Sequence, residues 1–223
     1  MTKAAQTATA RASDVHIRSG AVMLEGDLVI PASAPGVVLF AHGSGSSRLS
    51  PRNQYVARTI REAGVGTLLF DLLTKEEETV DSRTGHLRFD IGLLAERLVD
   101  ATYWVKGDLH HLTVGYFGSS TGGGAALLAA AQLGERIGAV VSRGGRPDLA
   151  GNALPKVKSP TLLIVGGLDY PVIDMNQKAY DLLQCEKELK IVSGATHLFE
   201  EPGTLEKVAR LAADWFQEHL HAA

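Results

Sequence analysis

A chain of 223 residues, 45% hydrophobic and 21% charged, has the length and apolar content for one α/β domain with a sizeable core. A formal charge of −3 without any dense Lys/Arg block gives no electrostatic footprint for nucleic acid or an anionic membrane. No apolar run nears the roughly 18 residues of a membrane span, and a single cysteine, Cys185, cannot close an internal disulfide and reads as a structural thiol.

Residues 1–13 (MTKAAQTATARAS) are Thr/Ala-rich with scattered charges and lack the apolar core of a secretory signal. They read as a flexible tail before a single domain over 14–223, and the protein is expected in the cytoplasm. Residues 15–31 alternate apolar and polar positions around Ser19-Gly20 and again around Gly26, the pattern of an antiparallel hairpin. The short apolar run 37–41 (VVLFA) then marks a strand buried on both faces, ending at His42-Gly43. A helix is expected over 51–63, a strand over 66–71, a helix over 90–106, a strand over 112–118 and a helix over 121–133. Strands at 137–142 and 161–167, a helix at 173–184, a strand at 189–194 and a helix at 203–220 complete the alternation. Short buried strands separated by amphipathic helices predict a mostly parallel central sheet with antiparallel N-terminal strands and helices on both faces.

Two connections are long. Residues 74–89 carry Glu76-Glu77-Glu78 and read as a solvated loop, and residues 143–158 hold Gly, Pro and two arginines with only a brief helical possibility. Both follow strands, so both are expected over the carboxyl edge of the sheet, where open α/β sheets place their sites.

Between the strand ending near 118 and the helix that follows lies Gly118-Ser119-Ser120-Thr121-Gly122. A phosphate loop needs a lysine and a hydroxyl after its last glycine, but Gly122-Gly123-Gly124 runs into Ala125-Ala126. In the loop His42-Gly43-Ser44-Gly45-Ser46-Ser47-Arg48, arginine stands where a dinucleotide fingerprint needs its third glycine. What remains is G-x-S-x-G, a strained strand-to-helix elbow whose neighbours two before and two after must be tiny. That spacing selects Ser120 over Ser119, which has Phe117 and Thr121 at those positions.

A serine hydroxyl needs a histidine to take its proton and an acid to orient that histidine. Asp169 follows the apolar run 161–167 and His197 follows 189–194, so the order Ser, Asp, His falls on successive strand ends. Each has a plainer alternative: Asp169 as a helix cap, His197 as an ordinary loop histidine. Two N–H groups should hold the oxyanion, one from Thr121 and one from Ser44 in the glycine loop, with His42 and Gly43 lying against substrate. Arg143 and Arg146 offer guanidinium groups for a substrate carboxylate, unless neighbouring acids take them. No residue cluster has metal-ligand spacing, and no cofactor is expected.

The stretches AHGSGSS (41–47), GSSTGG (118–123), GGLDYPV (166–172) and GATHLFEEPG (194–203) together resemble an α/β-hydrolase, and within that superfamily the small, capless dienelactone hydrolase-like proteins. The resemblance covers nearly the whole chain and implies an α/β-hydrolase fold without a large cap. It also implies a serine hydrolase acting on a small-molecule ester through Ser120, His197 and Asp169. Dienelactone hydrolases proper are similar but carry cysteine as nucleophile, and serine at 120 points toward ordinary esters rather than lactones. Amide, lactone or thioester cleavage by the same groups, and a noncatalytic binding role, are the alternatives. Oligomeric state is not legible.

Overall fold

The structure, a computed structural model, describes residues 11–222. Eight strands form one sheet: β1 (Arg11–Ser19), β2 (Val22–Ile30), β3 (Gly36–Ala41), β4 (Gly66–Phe70), β5 (Thr113–Ser119), β6 (Ile137–Arg143), β7 (Thr161–Gly166) and β8 (Lys187–Val192). Their spatial order is β1-β2-β4-β3-β5-β6-β7-β8. β1 with β2 and β2 with β4 run antiparallel, and the remaining pairs are parallel. Among the described residues six α-helices accompany them: α1 (Pro51–Glu62), α2 (Lys75–Thr84), α3 (Ile91–Asp108), α4 (Thr121–Leu133), α5 (Tyr170–Leu182) and α6 (Thr204–His219).

The central strands carry side chains that suit two covered faces. All six residues of β3 and all six of β7 are buried, as continuous apolar runs require. One face packs Leu39, Leu68, Tyr116 and Leu163 with α3 and α4; the other packs Val38, Phe40, Phe117 and Ile164 with α1 and α6. β8, the outer strand, alternates half-buried and exposed positions over most of its length and places the exposed Lys190 on the outer edge strand, which discourages pairing with another chain.

Sequence-expected tail and strand overlap at one point. The first ten residues lie outside the described region, but Arg11, Ala12 and Ser13 already pair with Ile30, Val29 and Leu28 in β1–β2. The 74–89 connection also differs from expectation. Residues 75–84 form α2, capped by Thr74, whose hydroxyl accepts the Glu77 N–H while the Glu77 carboxylate accepts the Thr74 N–H. Glu77 further receives Arg97 at 2.8 Å, so part of the acidic run is structural rather than solvated.

Topology locates the crevice. The connection after β3 passes through α1 on one face to β4, whereas the connection after β5 passes through α4 on the other face to β6. The loops leaving adjacent β3 and β5 therefore diverge, and their carboxyl ends open a gap between them. Between β6 and β7, the residues 147–156 make only a 3-10 segment, so no large cap covers that gap.

Candidate active site

Ser120 links β5 to α4 with φ 51° and ψ −121°, a conformation rarely adopted by a residue with a side chain. It persists because its surroundings overdetermine it. The Ser120 N–H donates to Arg143 O, and Ser120 O accepts from Gly123 N–H at 3.0 Å and Arg146 N–H at 2.9 Å. The two flanking glycines are steric requirements: a Cβ on Gly118 would stand 2.4 Å from Gly122 O, and one on Gly122 would stand 2.0 Å from Ala41 O. The side chain at 120 is thus lifted to the carboxyl edge of the sheet, at the amino end of α4.

Asp169 and His197 meet there. His197 Nδ1–H donates to Asp169 Oδ2 at 2.6 Å, with the Asp169 side chain 13% exposed and that of His197 39% exposed. Asp169 does occupy the N-cap position of α5, which begins at Tyr170, three residues before the expected 173. Its side chain nevertheless makes no cap hydrogen bond. The histidine takes the carboxylate instead, fixing the ring so that Nε2 is left for other chemistry. Gly144, at φ +50°, lets the chain pass against that ring: a Cβ would lie 3.5 Å from His197 Nδ1. Among the described residues no hydrogen bond joins Ser120 Oγ to His197 Nε2, but both residues line one cleft of about 850 Å³. A serine and a histidine on one cleft, with a carboxylate holding the far side of the histidine ring, is an arrangement suited to acyl transfer.

Residues 24–221 match the Dienelactone hydrolase family. The chain belongs to that family. A solved dienelactone hydrolase structure from Anabaena variabilis is 62% identical, with a TM-score of 0.93 over 95% of this chain and 99% of that one. Est1E from Butyrivibrio proteoclasticus shares the α/β-hydrolase fold at 16% identity, with a TM-score of 0.78 over 92% of this chain and 98% of that one. Two curated relatives from Mycobacterium tuberculosis strains, each named a putative phosphoribosyl transferase, are 55% identical over 212 residues, 94% of this chain and 47% of theirs. The chain spans about half the length of those curated relatives.

Within this dienelactone hydrolase family member, the other expected site residues have separate fates. Thr121 is the first residue of α4, so its N–H has no partner inside the helix. The Ser44 N–H is engaged, donating to Thr121 Oγ1 at 3.0 Å. Gly43 packs its backbone against the elbow and lines the cleft. His42 borders the cleft without a ring nitrogen to offer a substrate. Its Nε2 accepts the Leu72 N–H at 3.0 Å, which leaves the proton on Nδ1 to donate to Gly43 O at 3.1 Å. Burial, the largest influence, pushes the His42 pKa down and keeps the ring neutral.

Arg146 takes the alternative of a neighbouring acid. Its Nε and Nη2 hold Asp148 at 2.9 Å and 2.7 Å, and it is not part of the cleft wall. Arg143 is in the wall and 8% exposed. The opposite wall comes from the segment read as a loop: Glu78, Asp81 and Ser82 of α2, with Arg88. Asp81 is anchored by the Arg88 guanidinium and by the Leu87 and Arg88 N–H groups. The sequence signal for this wall was Thr74-Lys75-Glu76-Glu77, a capping box one helix length ahead of Gly85, which closes α2 at φ 67°.

Among the described residues, no group of three or more His, Cys, Asp or Glu side chains is placed to hold a metal ion. No helix there is long and apolar enough to cross a membrane.

Proposed function

We propose that the protein is a serine hydrolase that cleaves small carboxylic esters through an acyl-enzyme. In this reading Ser120 attacks the ester carbonyl while His197 Nε2 takes its proton. Asp169 holds the proton on Nδ1 and stabilises the imidazolium that forms. The Thr121 N–H and the Ser44 N–H stabilise the oxyanion, with the Ser44 amide exchanging its bond to the Thr121 hydroxyl for the developing charge. His197 then protonates the leaving alcohol, and water repeats the sequence to release the acid and restore Ser120.

The observation that carries this reading is the His197–Asp169 hydrogen bond of 2.6 Å on the cleft that Ser120 enters from a strained elbow. An open cleft under a short β6–β7 connection favours small acyl groups over long ones. Fluorophosphonate labelling of the full chain tests it. Ser120 is expected to be the modified residue, with Ser120→Ala neither labelled nor able to turn over p-nitrophenyl acetate. Undiminished turnover in Ser120→Ala would refute the assignment, and an unlabelled wild-type chain would favour a noncatalytic role.

Lactone cleavage is the second reading, favoured by the 62% identity to a protein named a dienelactone hydrolase. The same groups would open a lactone ring, so parallel rates on ester and lactone panels separate the two. The phosphoribosyl transferase name of the longer relatives we assign to the half of those chains that lies outside the match.

A further inference from the structure

We propose that Glu201 is a positioning residue for this reaction: its carboxylate clasps Thr196, closes the chain around His197 into one fixed loop, and so holds the imidazole between Asp169 and Ser120. The proposal rests on the serine-hydrolase reading above and adds a residue that acts through the base.

Main chain has to place this ring. The His197 side chain is 39% exposed, and its single bond to Asp169 at 2.6 Å fixes one edge of the imidazole while leaving it able to pivot. Residues 193–203, which carry it from β8 to α6, are turns without helix or strand, the kind of segment that is ordinarily mobile. Proton transfer tolerates little of that, since a misplacement of about 1 Å can cost a hundredfold in rate. The Thr196 N–H donates to Glu201 Oε2 at 3.1 Å and the Thr196 hydroxyl donates to Oε1 at 2.6 Å, so both oxygens of one carboxylate bind the residue just before the histidine. Glu201 is held in turn: its carbonyl accepts the Thr204 N–H at 3.1 Å and the Thr204 hydroxyl at 2.7 Å, at the first residue of α6.

The clasp completes a chain of anchors. On the other side of Thr196, Ala195 O accepts the Leu168 N–H at 2.9 Å, tying the segment to the residue before Asp169. Inside the loop the Phe199 N–H donates to Thr196 O at 3.3 Å, and Phe199 is buried at φ 56°, a backbone state that persists only where the surroundings impose it. The Thr196 hydroxyl and N–H hold the Glu201 pKa below its ordinary value, so the carboxylate keeps both oxygens as acceptors at neutral pH. The adjacent glutamate does something else. Glu200 turns to Arg52 of α1 at 3.0 Å, a solvent-exposed pair of the kind that contributes little. Of the two neighbouring acids, Glu201 alone bonds the residue beside His197, and it links the base to the start of α6 as Leu168 links it to the acid.

The test compares Glu201→Ala, Glu201→Gln, Thr196→Val and Thr196→Ser with wild type on the full chain. In Glu201→Ala, kcat on p-nitrophenyl acetate and the rate of fluorophosphonate labelling should fall by about ten- to a hundredfold, with KM within about threefold and labelling still reaching one group per chain. Glutamine can accept the Thr196 N–H and donate to its hydroxyl, so Glu201→Gln should recover to within about threefold of wild type. Thr196→Val, which loses only the hydroxyl, should fall by about three- to tenfold and Thr196→Ser should not. A folded Glu201→Ala that labels at the wild-type rate overturns the proposal; if that variant does not fold, a Thr196→Val as fast as Thr196→Ser overturns it instead. A lower labelling stoichiometry at an unchanged rate marks a purely structural role and also overturns it. If wild type neither labels nor turns over ester, the hydrolase reading fails separately, and the far-downfield proton resonance of His197 Nδ1–H then decides. Lost or displaced in folded Glu201→Ala and restored in Glu201→Gln, it supports the clasp; unmoved in both, it refutes it.

Discussion

Asp169 stands at the N-cap of α5 yet gives its carboxylate to His197, 2.6 Å from Nδ1, and none of it to the helix behind it. A carboxylate spent on capping would tie its fate to the stability of α5. Here the two are separable. Asp169→Asn is expected to cut kcat by about a hundredfold to ten-thousandfold, because the amide favours the wrong tautomer of the ring. The melting temperature should move little, since no cap hydrogen bond is lost. Kinetics on p-nitrophenyl acetate beside thermal melting of the same preparation checks both halves, and a large loss of stability with intact kcat would contradict it.

The elbow glycines make a stability prediction with an internal control. In Gly122→Ala the new methyl would meet Ala41 O and His42 O, both backbone atoms that cannot swing away. Loss of about 3 kcal/mol or more, or failure to fold, is expected. Gly107, in the last turns of α3, has nothing within 4 Å of an added Cβ. Gly107→Ala should stabilise by roughly 0.5–1 kcal/mol. Urea unfolding of the two variants gives the comparison.

His42 ties folding to pH. Its pKa is depressed in the folded protein, so in the unfolded chain, near about 6.5, the ring binds a proton more readily. Its contribution to stability is therefore complete above that unfolded value and is lost as pH falls through it toward the folded pKa. The slope attributable to one proton is at most about 1.4 kcal/mol per pH unit. Urea midpoints between pH 7 and pH 5 should fall more steeply for wild type than for His42→Gln, and identical slopes would dismiss the assignment.

Thr121 supplies both a main-chain donor and the hydroxyl that accepts the Ser44 N–H at 3.0 Å. Thr121→Val removes that acceptor and releases the Ser44–Ser47 loop from the elbow, whereas Thr121→Ser keeps it. A fall of up to about tenfold in kcat is expected for valine, in line with one hydrogen bond of roughly 0.5–1.5 kcal/mol, and little change for serine. Parallel steady-state kinetics separates the hydroxyl from the N–H, which both variants retain.

The parts of this molecule legible in its sequence are those governed by local rules. Continuous apolar runs announced β3 and β7, and the spacing Gly118, Ser120, Gly122 announced the elbow, because each depends on residues within a few positions. Fates set by distant partners were not legible. His42 is claimed by the Leu72 N–H, and nothing near position 42 signals that. Arg143 and Arg146 occupy one short stretch and look alike; Asp148 takes one of them, and the direction of β6 turns the other inward. α2 was hidden for a different reason. It lacks the apolar stripe that marks helices packed on a core, Asp81 being its one buried residue, and only its capping box betrayed it.

That manner of attachment bears on how this enzyme family member can change. The floor of the cleft is welded to the sheet by backbone geometry, while its far wall is moored by ionic and capping contacts: Thr74 with Glu77, Arg97 with Glu77, Lys75 with Glu25, Arg88 with Asp81. Elbow and wall thus lie in separate stretches of chain with separate sources of stability. The exposed Lys75–Glu25 pair weakens with ionic strength, whereas the part-buried Arg97–Glu77 and Arg88–Asp81 pairs are screened far less. The wall can therefore be retailored, lengthened or loosened without disturbing the backbone that holds the elbow.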